Sequence, residues 1–159
     1  MIALLVAATL ASALWIILFP VWHLLYGYPV NLREVSRQTG LVFPRSARLT
    51  RSWLQDEFLG GMLWARVEMN RSDAKRFMGA VVPNAKLTWL KASGISGGAD
   101  DNSMDLKPPD WQGWMWWKPD SVRNGVGARV DIAPGGFADL LIDGSDSAKA
   151  TLYVFCWLS

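Results

Sequence analysis

Four of the chain's ten tryptophans, Trp111, Trp114, Trp116 and Trp117, fall within seven residues, bracketed by Pro108, Pro109 and Pro119. Proline on both sides discourages regular structure, so the indoles are expected on an irregular loop. Three roles compete for them. An indole is a large, rigid face that stacks on a sugar ring or on a partner's side chain with little loss of entropy. Indoles also settle at the depth of lipid headgroups. A structural role is the third, with Trp114 and Trp117 buried beneath their own loop, because tryptophan is highly buried on average. All four are taken as the candidate binding residues. Trp53, Trp64, Trp89 and Trp157 lie in regular-looking segments and are expected as core or half-buried sheet residues.

The residue types that drive most catalysis are scarce. His23 is the one histidine and lies in an apolar stretch, so no histidine remains for a triad, a zinc site or proton transfer near neutral pH. Cys156 is the one cysteine. It excludes an intramolecular disulfide and a cysteine metal cluster, and in the apolar run LYVFCWL it reads as a small buried hydrophobe. Asp100, Asp101 and Asp105 lack the glutamate that completes a calcium loop. The glycines at 125, 127, 135 and 136 lack the spacing of a phosphate loop and read as turns. Asp110 and Asp120 flank the tryptophans, where a carboxylate pair for glycoside cleavage is conceivable, but their spacing does not require it. No catalytic residue, metal or cofactor is expected.

The first charged side chain is Arg33. Ile2 to Val21 is about twenty apolar residues, or roughly 30 Å of helix, enough for a bilayer's hydrocarbon core. Trp22, Tyr26 and Tyr28 follow as headgroup-level rings, and Gly27 and Pro29 end the helix. The spacing Ala11-Ser12-Ala13 suits a signal peptidase, but the apolar run continues past it, so a retained anchor over residues 1–28 is expected.

A basic collar comes next. Arg33, Arg37, Arg45, Arg48 and Arg51 face a single acid, Glu34, whereas from Ser52 onward there are eleven basic and thirteen acidic residues. Arg33 and Arg37 are placed at the membrane interface, where basic side chains meet anionic headgroups. The positive-inside rule would put the collar in the cytoplasm, but large domains translocate largely regardless of charge. The domain is therefore expected on the outer side of a bacterial plasma membrane. Arg66, Arg71, Lys75 and Arg76 cluster, yet Glu68 and Asp73 interleave them, so nucleic acid is not an expected partner.

These groups need positioning elements. Residues 29–45 are read as a basic linker and 46–159 as one α+β domain, since about 115 residues carry one core. Ala47 to Leu54 alternates, with Ala47, Leu49, Arg51 and Trp53 on one face of a strand, and Met62 to Met69 is its hairpin partner. A short helix is predicted over Asp73 to Val81, capped by Asn70 or Ser72. Lys86 to Lys91 is a further strand or helical stretch, and Ala92 to Asp110 a surface loop. Ala128 to Ile132, Phe137 to Ile142 and Ala150 to Trp157 form an antiparallel meander, with one or two helices packed on the sheet.

The entry FPRSARLT and the closing LLID and LYVF strands resemble small exported or anchored bacterial proteins, a resemblance that implies no activity. The expectation is a single-pass, membrane-anchored, non-catalytic domain at the cell envelope. It would bind a protein partner, as an accessory subunit or an immunity-type inhibitor. The alternative is a glycan or cell-wall binding module using the tryptophan loop.

Overall fold

Alternation of apolar and polar residues dictates the strands, and a computed structural model shows how they pair. It describes residues 9, 12–16, 18, 19, 27–57, 60–81, 114–122, 125–132 and 135–159. The elements are α1 (Leu32–Thr39), β1 (Arg48–Glu57), β2 (Gly60–Asn70), α2 (Arg71–Val81), β3 (Gly125–Ile132), β4 (Gly136–Asp143) and β5 (Lys149–Leu158), with 3-10 turns at Trp114–Trp116 and Pro119–Ser121. The strands form one antiparallel sheet in the order β1-β2-β5-β4-β3. The fold is a small α+β domain, as expected from sequence.

The β1–β2 hairpin and the β3–β4–β5 meander are joined by β5, which inserts between β4 and β2. A near-continuous apolar strand suits this central place, since both of its faces are covered. Leu152, Val154 and Cys156 enter the core on one face, Tyr153 and Phe155 on the other.

The expected face of β1 needs correction. The register shifts between Leu49 and Arg51, leaving Thr50 as a bulge opposite no single partner. A bulge adds one residue to one strand and exchanges the faces beyond it. Leu49 therefore sides with Ser52 and Leu54, while Arg51 and Trp53 point the other way, to the face of Trp64 and Arg66.

Much of the segment 29–45, read as a basic linker, packs on the domain together with Tyr28. Asn31 caps α1 by accepting the Glu34 amide at 2.9 Å, and Gly40 closes it in the left-handed region, at φ 68°. Val35 and Leu41 are buried in the core. Tyr28 exchanges two 2.8 Å backbone hydrogen bonds with Leu54, and the buried Ser52 hydroxyl donates to the Val30 carbonyl and accepts from its amide. These bonds strap residues 28–30 along the outer edge of β1.

Two layers result. On one face α1 and α2 cover the sheet, with Ala74, Phe77 and Met78 of α2 buried and Phe43 stacked on Phe77 at 5.7 Å. Asp73 in the first turn of α2 is tied to the Ser46 hydroxyl and to Arg76. On the other face lies a smaller cluster of Trp53, Trp64, Trp117, Val122, Leu141, Tyr153 and Phe155.

Much of the expected anchor lies outside the described residues, as do Pro83, the 86–91 segment and the 92–110 loop. Thr9 and residues 12–16, 18 and 19 are helical, and Leu14, Trp15, Ile16, Leu18 and Phe19 are exposed. Among the described residues no helix is long and apolar enough to cross a membrane.

Candidate functional site

The second face is closed by the 114–122 segment and only in part. Pro119 pre-sets the backbone at the start of its 3-10 turn, and the Ser121 hydroxyl donates to the Lys118 carbonyl at 2.7 Å. These local bonds hold Trp117 down. Its ring is 4 % exposed and meets Tyr153 edge-on at 5.5 Å. Trp116, edge-on to Trp117 at 5.7 Å, is half-buried, and Met115 beside it is 83 % exposed.

Between this segment and the edge of β1 runs an open groove of about 720 Å³. Trp53, Trp116 and Met115 line it from the sheet and the turn, and Pro29, Val30 and Leu49 from the strap side. Its polar side chains are Thr50, Arg51, Ser52 and Arg66. The two hydroxyls are already engaged, Thr50 with the Arg66 carbonyl and Ser52 with Val30. Beside the Thr50 hydroxyl, which has given its hydrogen and can still accept, the groove offers a ligand two guanidinium groups, which donate and cannot accept.

The arginines are cross-strand partners in the β1–β2 register. Like charges directly opposite one another on a sheet repel. Arg66 leans 3.8 Å from Glu68, with its guanidinium 5.9 Å from the Tyr153 ring centre. Its Nε is buried and meets no hydrogen-bond acceptor among the described residues. Tyr153 is itself buried, and burial raises its hydroxyl pKa above the ordinary value, against the opposing pull of Arg66.

A second, smaller concavity of about 400 Å³ lies along the same margin, lined by Arg45, Arg48, Lys149 and Glu68 among others. Its cations are exposed. At the far end of the face, Arg129 makes a bidentate pair with Asp139, at 2.7 and 2.8 Å, and lies 4.2 Å over the Phe137 ring. That arginine is satisfied within the fold.

Cys156 is fully buried in β5, and burial, reinforced by the charge of Asp139, pushes its thiol up to about 12. A thiol held protonated in this way is no nucleophile at neutral pH. Among the described residues no group of three or more His, Cys, Asp or Glu side chains could hold a metal ion. Asp120 is exposed on its turn, while Asp100, Asp101, Asp105 and Asp110 lie outside the described residues.

The structure places the expected binding tryptophans differently from one another. Trp117 belongs to the second core cluster, and Trp116 lines the groove. Trp114 starts the first 3-10 turn, and Trp111 lies outside the described residues. Of the interface set, Tyr28 packs against the main core, Arg33 and Arg37 are exposed, and Arg37 pairs with Glu34. Trp22 and Tyr26 lie outside the described residues. Among the other indoles, Trp53 and Trp64 are buried as expected, whereas Trp157 is 41 % exposed near the end of β5. Sequence reasoning passed over Arg51, Arg66 and Met115 as site residues. The signal for the arginine pair is the register, which the Thr50 bulge hides.

No family model, curated protein or solved structure matches the chain.

Proposed function

We propose that this chain is a membrane-tethered, non-catalytic interaction domain that binds a protein partner at a bacterial cell envelope. An accessory subunit or an immunity-type inhibitor would have this form. The observation that carries the reading is the open groove beside β1, where Trp53, Trp116 and the exposed Met115 meet two arginines. Aromatic residues, Met and Arg are the types enriched at protein interfaces, and centrally placed indoles and guanidiniums dominate their energetics. The apolar run ahead of Arg33 supports the tether, and the exposed apolar side chains at 14–16, 18 and 19 are consistent with it.

A glycan or cell-wall module remains the alternative reading of the same indoles, with weaker support. Neutral sugars carry no charge to match the two guanidiniums that line the groove.

The test is a photo-crosslinking residue in place of Met115 in the full chain, expressed in membranes. Crosslinking to one protein in stoichiometric yield supports the reading. Recovery of peptidoglycan fragments or other glycans instead would sink it. Protease digestion of a C-terminal tag in intact spheroplasts checks the proposed outward orientation, and protection until lysis would place the domain in the cytoplasm.

A further inference from the structure

The pairing of Arg51 with Arg66 is hard to account for by folding alone. Two like charges occupy opposed positions on one face of the sheet, at the first pair beyond the Thr50 bulge where the register shifts. The neighbouring cross-strand pair on that face, Arg48 opposite Glu68, is complementary. Arg51 is exposed with no ion-pair partner among the described residues, and the one acid near Arg66 is 3.8 Å away. The Arg66 Nε also meets no acceptor among the described residues.

We infer that Arg51 and Arg66 form a fork that takes a carboxylate from an extended, acidic segment of the partner protein. This inference rests on the protein-binding reading of the groove and specifies its chemistry. A carboxylate set between two guanidiniums turns a repulsive pair into two charge-assisted hydrogen bonds, the strong kind in a partly dried site. The apolar walls select what carries that carboxylate. Trp53 and Trp116 line the groove alongside the fork, and Met115 adds an unbranched side chain that adapts to varied shapes. Aliphatic or aromatic residues flanking an acid in an extended chain fit such a trough. At about 720 Å³ the groove is also far roomier than one phosphate needs. Lipid headgroups have a better-suited counterpart in the exposed cations Arg45, Arg48 and Lys149.

The experiment uses the full chain in neutral phosphatidylcholine nanodiscs. The probe is a labelled peptide of about ten residues that alternates glutamate and valine, with a glutamine–valine peptide as control. The expected result is binding of the acidic peptide at physiological salt, roughly tenfold weaker for the control. Arg51→Gln or Arg66→Gln should weaken it to a similar degree, while Arg45→Gln leaves it unchanged and all three variants keep the parent's melting temperature within a few degrees.

Equal binding of both peptides, equal loss with Arg45→Gln, or no binding of the acidic peptide would overturn the proposal. So would phosphatidylglycerol nanodiscs abolishing peptide binding through Arg51 and Arg66, which would make the fork a headgroup site. Crosslinking from position 115 separates the two levels. A protein captured equally by the parent and by Arg51→Gln leaves the protein-binding reading standing and removes the fork. Absence of any captured protein removes the wider reading.

Discussion

On one face of the sheet, two helices lay Val35, Ala74, Phe77 and Met78 over a continuous apolar surface that includes Leu63, Val67, Leu152 and Val154. On the other, a short segment with two 3-10 turns sets Trp117 and Val122 onto Tyr153, Phe155 and Trp64, and the margin beside β1 is left open. A helix pair buries a stripe along its whole length, so little is left accessible. A turn held by two or three local hydrogen bonds covers what one indole can reach. The difference assigns roles: the helix-covered face supplies stability, and the tryptophan face supplies stability at its centre and a surface for recognition at its edge.

The sharpest way to break that division is to compare the adjacent indoles. Trp117→Ala removes a buried ring and should cost about 3–5 kcal/mol, comparable with about 2–5 kcal/mol for Leu152→Ala on the helix-covered face. Trp116→Ala, at a half-buried site, should cost clearly less than Trp117→Ala and reduce binding instead. Denaturant midpoints with unchanged slopes check both. Equal destabilisation by the two variants would mean that the groove edge is core after all.

The next effect concerns alkaline pH and the sealed centre of β5. The folded protein holds the Cys156 thiol protonated up to about 12, against an ordinary value of 9.0. The unfolded chain therefore releases this proton first as pH rises. Its contribution to stability is complete below about pH 9 and is lost progressively between about 9 and 12. Tyr153, its pKa raised mainly by burial, acts in the same direction. Urea midpoints should fall across that window, and the fall should be shallower in Cys156→Ala. A thiol reagent should find Cys156 silent in the native protein and reactive once it is unfolded.

Much of this division was legible in sequence, and the exceptions have physical causes. Alternation located β1, with β2 as its hairpin partner, and apolar runs separated by turn residues located the last three strands. The apolar run around Cys156 read as a strand with a buried cysteine, and the structure covers it on both faces at the centre of the sheet. Helix α1 was obscured because LREVSRQT is mostly polar and buries only Val35 and Thr39; its evidence was the Asn31 cap and Gly40 at the far end. The face of Trp53 and Arg51 depended on one extra residue at Thr50, which no pattern of hydrophobicity reveals. Of the three roles open to the tryptophan loop, the structural one singled out Trp117, which is buried, while Trp116 at the end of the first 3-10 turn lines the groove. The arginine fork needed two strands in register, so composition could not have found it.

Gly27→Ala tests the strap that walls the groove. Gly27 sits at φ 73°, and an added Cβ would lie 2.4 Å from the Leu54 carbonyl oxygen and 2.6 Å from the Trp53 Nε1. The positive φ and the backbone clash together should cost roughly 1–3 kcal/mol. Because the strap supplies Pro29 and Val30 to the groove, binding should weaken as well. Gly40→Ala is the control: it carries a similar φ of 68° but meets nothing within 4 Å. It should lose about 1 kcal/mol through the helix end alone and leave the groove's affinity intact.

The smallest effect has the opposite sign. A side chain that serves the fold should destabilise when removed, whereas one retained for a ligand can stabilise when removed. Arg51 lies across from Arg66 in the register, is exposed and has no ion-pair partner among the described residues, so Arg51→Gln should raise stability by roughly 0.2–1 kcal/mol. Arg51→Glu should gain at least as much, because it sets an acid opposite Arg66, and it should abolish binding of an acidic peptide. The gain should shrink as salt screens the exposed pair. Arg66→Gln is the less direct probe, because it also removes the contacts with Glu68 and Tyr153 and a buried Nε. Chemical denaturation of the Arg51 variants at low and high salt decides the matter. A salt-sensitive gain would mark Arg51 as a residue kept at the fold's expense, and a loss of stability would place it with the structural side chains of the sheet.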